Sequence, residues 1–487
     1  MSAKVAPHLS FALKVAFALG TAAESITFIG ATFLMIFYNQ VLGLPPAEVG
    51  AALSVGLFVN AVFDPLVGSW SDRTRSRFGR RHPFMFGAIV PVALCFYLAF
   101  SPPSTLGPTG LLVWLAVTNT LLLQVMTIFH TPHLALGGEM SSDYLERSSV
   151  MAHNTFMMFV GDTVATLLTL RVFFAPAPNL PNGALDPARY PAFAIAIPLI
   201  VAAILFASAW WTRSTIPLVS APAAGAGSLS LRSFAGDVRR ALANRNYLVL
   251  LFALLFFSLM TGVRNGLALY VGSYFWRLDN NQLSWYVLGN LGGYLLAAAV
   301  VKPLHAHLDK RWTGFLAAVV YAVVPAVPVL LGYWRVLTPA TPGLLAILIA
   351  FLVFQHAPYS LLTTTIRSAL ADIADENELR FGLRQEGVLY SVRTFFQRID
   401  SALGTAFAGM VLGLVAFPDK ARPGEVPWPV LGGLALAYAA ATLPGLFAAL
   451  FYGTMRVTRE TYEATRDALA AAEARPPAPA PAAASGA

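Results

Sequence analysis

Cysteine and charge are both scarce in this chain, and each scarcity excludes something. A single cysteine, Cys95, among 487 residues rules out an intrachain disulfide, and no Cys/His cluster with metal-ligand spacing accompanies it. Asp, Glu, Lys and Arg together supply only 11% of positions, against about 25% in an ordinary soluble domain. So few charges cannot clothe a water-facing surface, and most of the outside must face lipid. Also missing are a Gly-rich phosphate loop ending in Lys-Ser/Thr and any pairing of a nucleophile with a base in the loops. An enzyme is therefore disfavoured, and neither cofactor nor metal is expected.

What the chain has is apolar length. Hydrophobic residues fill 57% of it, and mean hydropathy is +0.65. A membrane helix needs about 20 largely apolar residues. Such runs are expected at 11–38, 47–70, 83–102, 110–136, 149–175 and 191–212. After a polar gap they recur at 246–273, 280–306, 312–334, 339–365, 387–416 and 427–454. The pattern predicts an all-α membrane protein of twelve spans in two six-helix bundles, 1–212 and 246–454. Linker 213–245, with its SAPAAGAGS stretch, reads as a flexible connector. The first run is longer than a signal-peptide core and is taken as a retained helix. Residues 455–487 form a tail whose Pro/Ala-rich end has no apolar face to bury.

The net charge of +8 is distributed in a way that suits a membrane better than nucleic acid. Loop 71–82 holds Arg73, Arg75, Arg77, Arg80 and Arg81, and linker 213–245 holds five more arginines, whereas 39–46 and 101–109 hold neither Arg nor Lys. Basic loops stay on the cytoplasmic side, so both termini are expected there, in a multi-pass protein of the cell (inner) membrane. Loop 366–386 falls on the same side but is acid-rich, with Asp372, Asp375, Glu376, Glu378 and Glu386.

Charged groups at membrane depth are costly and face a cavity or a partner. Glu24 falls in the first span, and Asp64 in the second with Asn60 one turn earlier on the same face. His130 and His133 fall in the fourth, Asp162 in the fifth, Arg264 and Asn265 in the seventh, Gln355 and His356 in the tenth, and Arg398 with Asp400 in the eleventh. Each has a plainer reading. Asp64 precedes Pro65 and would serve a kinked helix; His130 and His356 would pack as neutral imidazoles; Asp162 would pair with a neighbour. Trp285 reads as part of an interfacial belt, or else as a stacking platform for a ligand.

Two long motifs add to this. The first is Asp64-Pro65-x-x-Gly68 followed by Arg73-Thr-Arg75-Ser-Arg77-x-Gly79-Arg80-Arg81-x-Pro83. The second runs Ala371-Asp372-Ile-x-Asp375-x-x-Glu378, Gly382-x-Arg384-x-Glu386-Gly387, Tyr390-Ser391-x-x-Thr394-Phe395. Together they resemble the glycoside–pentoside–hexuronide:cation symporters of the major facilitator superfamily, and the resemblance covers roughly 11–454. A degenerate copy of the basic turn, Leu308-Asp309-Lys310-Arg311, lies at the equivalent place in the second half.

The resemblance implies a twelve-helix major facilitator fold and alternating access about a central cavity. Asp64 stands where the family has a cation-site acid, Glu24 where it has a sugar-binding aspartate, and Arg398 where it has a lysine near the cation site. Asn60 and His130 stand where sodium-coupled members carry two further acids. Leu134 replaces a tryptophan, and Asn154–Thr155 replaces an arginine. With two of three acids gone, a proton is the expected coupling ion rather than sodium.

The expected roles are therefore substrate binding for Glu24, His130, Asn154, Arg264 and His356, and coupling for Asp64, Asn60, Arg398 and Asp400. A gating role is expected for Asp72, Arg73, Arg77, Gly79, Arg80, Arg81, Asp372, Asp375, Arg384 and Glu386. The substrate is expected to be a sugar or glycoside and the working unit a monomer. Sodium-coupled sugar symport, carriage of lysolipid or another amphiphile, and a ligand sensor on the same fold stay open as alternatives.

Overall fold

Proline, glycine and capping residues cut the chain into helices close to where hydropathy does. The computed structural model describes residues 9–141, 144–178, 180–216, 239–240, 242–381, 386–456 and a few positions between 460 and 468. In the first half α1 is Phe11–Ile36, α2 Pro46–Arg73, α3 His82–Ala99, α4 Pro108–Glu139, α5 Tyr144–Leu167 and α6 Tyr190–Thr212. Ser10 caps α1 by accepting from the Leu13 amide, and prolines open α2 and α4, where a missing N–H costs nothing. In the second half α7 is Arg245–Tyr270 and α8 Tyr286–His307, the latter preceded by the one-turn helix Asn280–Ser284. Then come α9 (Lys310–Val323, resuming as Ala326–Tyr333), α10 (Leu344–Phe381), α11 (Glu386–Leu414) and α12 (Trp428–Ala440, resuming as Thr442–Gly453).

A helix thus occupies each of the twelve expected places. Among the described residues ten stretches are long and apolar enough to cross a bilayer, and α11 contributes a shorter apolar piece, Ser401–Leu414. The architecture is that of an all-helical membrane protein.

One expectation is corrected. The acid-rich segment 366–386 is not a loop up to residue 381, because α10 runs unbroken for 38 residues. That is about 57 Å of helix, far more than a bilayer core of about 30 Å. The reason is local: ADIADENELRF contains neither Gly nor Pro to stop the helix. The expected spans at 312–334 and 427–454 are present, each with a break inside it. Pro325 lacks the N–H that would bond the Tyr321 carbonyl, so α9 breaks there; α12 breaks at Ala441, three residues before Pro444. Most of linker 213–245 and residue Arg384 lie outside the described residues.

At the end opposite the basic loops, α1, α5 and α7 all finish in π-helical turns, Phe37–Val41, Leu168–Phe173 and Val271–Phe275. One apolar core runs through the first half and crosses at this far end to Tyr270, Tyr274 and Phe417. A second core fills the space between α7, α9, α10 and α12. The halves also meet along α2 and α11, where glycines let the backbones touch. A Cβ on Gly409 would lie 2.5 Å from the Pro46 carbonyl oxygen and 2.9 Å from Gly50 Cα.

Candidate functional site

Helix α4 brings two polar groups together one turn apart. Toward α1 it presents His130, whose Nδ1 lies 2.7 Å from Glu24 Oε2; the two side chains are 28% and 29% exposed, so the pair faces an opening. Toward α2 it presents Thr127, whose hydroxyl lies 2.8 Å from Asn60 Oδ1 and 2.9 Å from Asp64 Oδ1. A hydroxyl has one proton and cannot donate to both. Turning the Asn60 amide resolves this: its NH2 donates to Thr127, and Thr127 donates to the Asp64 carboxylate, a relay in which every group is satisfied. Asn60 is 1% exposed and Asp64 partly so, which places the amide behind the acid.

Helix α1 supplies the rest of this wall. Thr21 donates to Asn154 Oδ1 at 2.5 Å. This contact depends on close packing of α1 on α5, where a Cβ on Gly161 would lie 2.7 Å from the Ala22 carbonyl oxygen. His133 is different. It is buried, stacks on Phe17 at 4.3 Å, and spends Nε2 on the Phe17 carbonyl at 2.7 Å, so it packs the half together.

The expected substrate residues of the second half do not join this cluster. Arg264 is 3% exposed and its guanidinium is committed: to the Tyr321 and Ala322 carbonyls at 3.1 and 2.5 Å and to Thr442 Oγ1 at 2.9 Å. These are the groups left over by the two helix breaks, so Arg264 serves as their common cap. His356 donates Nδ1–H to the Leu352 carbonyl at 2.9 Å and packs against Gly293. Beside it the Tyr321 ring lies 5.3 Å from Tyr359, so among the described residues this wall presents aromatic rings where the first presents acids. The side chains of Arg398, Asp400 and Glu386 lie outside the described residues.

The loop motif divides in two. Arg73 and Arg77 are exposed, Arg77 lying over Phe78 at 4.8 Å. Gly79 takes φ +73°, a conformation that favours glycine, and this turns the chain inward. Arg81 is thereby buried, with Asp72 Oδ1 at 2.5 Å and Glu139 Oε1 at 2.6 Å, and it also donates to Ser71; Arg80 reaches the same Glu139 oxygen at 2.7 Å. Burial alone would lower the Arg81 pKa, but Glu139 and Asp72 outweigh it and hold the charge. This cluster ties α2, α3 and α4 within one half. Glu139 was not anticipated from the sequence. Glu139→Ala takes the carboxylate from Arg80 and leaves Arg81 with only Asp72 and Ser71, and should lower the unfolding temperature in detergent clearly more than Asp72→Ala, at a cost of about 2 kcal/mol; equal shifts would show that Asp72, 58% exposed, carries the cluster.

In the acidic motif Asp372 is buried and Asp375 half-buried. Their neighbour Glu376 accepts from Asn244 and Asn246 at 3.2 and 3.0 Å and so pins the α10 extension to the start of α7.

Hydrogen bonds between the halves cluster at the far end. Asn39 donates to Asp419 at 3.0 Å and accepts from Tyr270 at 2.8 Å; Gln40 accepts from Tyr274 at 3.1 Å and from the Ala421 amide at 2.9 Å. Arg171 donates to Ser284 at 2.6 Å and lies 4.3 Å above the Trp285 ring, so Trp285 stacks a guanidinium of the opposite half. Asn39, Gln40, Tyr270 and Tyr274 went unnoticed in the sequence because amides and phenols at span ends look like ordinary interfacial groups.

Comparison with known proteins agrees with the all-helical membrane architecture. Residues 16–459 match the family described as MFS/sugar transport protein. The inner membrane symporter YicJ of Escherichia coli (strain K12) is 28% identical over 414 residues, 83% of each chain. The isoprimeverose transporter of Lactiplantibacillus pentosus is 24% identical over 387 residues, 78% of this chain and 75% of its own. The inward open xylose transporter XylE from E. coli superposes with a TM-score of 0.61 at 13% identity, over 93% of this chain and 99% of that one, which is a likeness of fold. These relatives are transporters and not enzymes. The chain belongs to the MFS/sugar transport protein family, as a symporter of the glycoside–pentoside–hexuronide type.

Proposed function

We propose that the chain is a proton-coupled symporter of a sugar or glycoside, working as a monomer with twelve spans in a cell inner membrane, basic loops and both termini cytoplasmic. The latch at the far end then closes the outside, and the cavity opens inward. The observation that carries the reading is the pair of sites one helical turn apart on α4. Glu24 and His130 offer an acceptor and a donor to substrate hydroxyls. Asp64, backed by Thr127 and Asn60, is the group that takes and releases the proton. A ligand moves a conformational equilibrium only by its differential affinity for the two states. Coupling therefore requires that substrate at Glu24–His130 be held better when Asp64 is protonated, and a shared helix turn is a short route for that dependence.

Sodium is the second reading, favoured by the Thr127 hydroxyl and Asp64 carboxylate lying 2.9 Å apart beside an Asn60 amide that could turn its oxygen toward an ion in place of its NH2. Only one of them carries formal charge, which is why the proton is preferred. The test is uptake of labelled isoprimeverose or xylosides into proteoliposomes under an imposed pH or sodium gradient. An inward proton gradient should drive accumulation. Stimulation by sodium with no response to pH would transfer the role to sodium.

A further inference from the structure

The arginines of the basic loop face two ways. Arg80 and Arg81 turn inward onto Glu139 and are spent there. Arg73, Arg75 and Arg77 stay exposed, and so does Arg213 where α6 ends. Two contacts hold this loop against the end of α6. His82 Nε2 lies 3.2 Å from Thr212 Oγ1, and a Cβ on Gly79 would lie 3.3 Å from the Ile216 side chain. Arg77 and Arg213 therefore belong to one rim, at the head of the groove between α3 and α6.

Each of these two guanidinium groups rests on an exposed ring. Arg77 lies 4.8 Å from the centre of Phe78, and Arg213 lies 3.5 Å from the centre of Trp210. The two aromatic residues are 48% and 42% exposed. Below Trp210 the rings continue down the groove: Phe206 stacks on it at 5.6 Å and meets Phe86 of α3 at 6.1 Å. Charge above and rings below match the two parts of a phospholipid, an anionic headgroup over an apolar body. The sequence also keeps acids out of the groove, since 74–81, α3, α6 and 213–216 contain neither Asp nor Glu. Asp72 and Glu139, the acids at this end of α2 and α4, are held by Arg81.

We propose that the head of the α3–α6 groove is a docking site for an anionic phospholipid. Arg77 and Arg213 take the phosphate, and Trp210 with Phe206 seats the glycerol and the upper acyl chain. A guanidinium presents several N–H donors in one plane, which suits phosphate oxygens. The rings beneath favour a lipid over a soluble anion, which has no apolar part to cover them. An arginine at the membrane surface favours an anionic headgroup by about five-fold. The site concerns the protein's lipid neighbours and not its cargo, so it is independent of the sugar reading.

The experiment uses the purified full-length protein in neutral detergent, with no solute present. Equal amounts of phosphatidylglycerol and phosphatidylcholine with the same acyl chains are added, and retained lipid is read by native mass spectrometry. The wild type should retain the anionic lipid in preference by at least about ten-fold. Arg77→Gln with Arg213→Gln should bring that ratio close to one without changing the elution profile, and either substitution alone should give an intermediate value. Arg239→Gln with Arg240→Gln makes the same change of charge in the linker and should keep the preference. Trp210→Leu leaves both charges in place and should lower the amount of phosphatidylglycerol retained. Equal losses in the two paired variants would show a diffuse attraction of the basic face and overturn the site. A ratio untouched by Arg77→Gln with Arg213→Gln, or retention untouched by Trp210→Leu, would overturn it too. So would glycerol phosphate raising the unfolding temperature as much as phosphatidylglycerol does, since the groove would then serve a soluble anion.

Discussion

Asp64→Asn should abolish concentrative uptake, bringing the internal to external substrate ratio from many-fold to about one at any imposed pH gradient. The argument is one of charge. In the wild type the carboxylate must be neutral in one half of the cycle and charged in the other for a proton to do work, and an amide stays neutral throughout. The substitution preserves shape and can still accept from Thr127, so the fold and the Glu24–His130 pair 2.7 Å apart should survive. Exchange of external for internal substrate should therefore persist in part, since it needs a cavity but no net proton movement. Thr127→Val gives the control. It removes the hydroxyl that lies between Asn60 and Asp64 but keeps the acid, and should shift the pH at which uptake is half-maximal while still permitting accumulation. Unchanged accumulation by Asp64→Asn would remove that residue from the coupling site.

Gly409→Leu should hold the far end open. The α2–α11 contact at Gly50 and Gly409 is backbone against backbone, and even a bare Cβ would lie 2.5 Å from the Pro46 oxygen. Nothing at that contact is the end of a flexible side chain, so the helices themselves must separate. If about 2 kcal/mol of overpacking strain is felt in one state and relieved in the other, the balance between them shifts by roughly thirty-fold. The consequence is visible at the latch, where Ser273 is fully buried against Asn182 at 2.9 Å. In a Cys95→Ser background, Ser273→Cys should be protected from a membrane-impermeant thiol reagent, and adding Gly409→Leu should expose it, with uptake falling more than ten-fold. Protection in both variants would show that closure does not depend on this contact.

How much of this was legible beforehand depended on whether a residue's meaning is local. The spans, the basic turn and the Asn60/Asp64 face follow from hydropathy and from i,i+4 spacing, which a sequence carries directly. Glu24 and His130 were each singled out by their cost in a membrane. That they touch is a fact about α1 crossing α4, and no spacing within either run encodes it. Thr127 could have been found, since it lies one turn from His130 on the face that was already of interest. Glu139 and the Asn39–Gln40 latch could not, because each is an unremarkable polar residue at a helix end until a distant segment supplies its partner, Arg80 and Arg81 for the first and the second half for the others. The acidic segment was misplaced because several charges in a row read as a solvated loop, whereas they decorate a helix that has outrun the membrane. Arg264 was expected among the substrate residues because a charge at membrane depth faces a cavity or a partner; that its partners would be two carbonyls at the α9 break and a hydroxyl at the α12 break is a fact of tertiary packing no spacing encodes.

That last arrangement bears on how the protein is made. An arginine inside an apolar span costs about 2.5–3.5 kcal/mol at insertion, and α7 enters the bilayer before any of its partners has been synthesised. The cost is offset only when the Tyr321 and Ala322 carbonyls arrive with α9 and Thr442 with α12, the last span of the chain. Until then α7 carries an unsatisfied charge and α9 a set of unsatisfied carbonyls. The second bundle is thus stable as a whole and poorly stable in part, so a chain truncated before α12 should be recognised as unfinished by the cell's quality control.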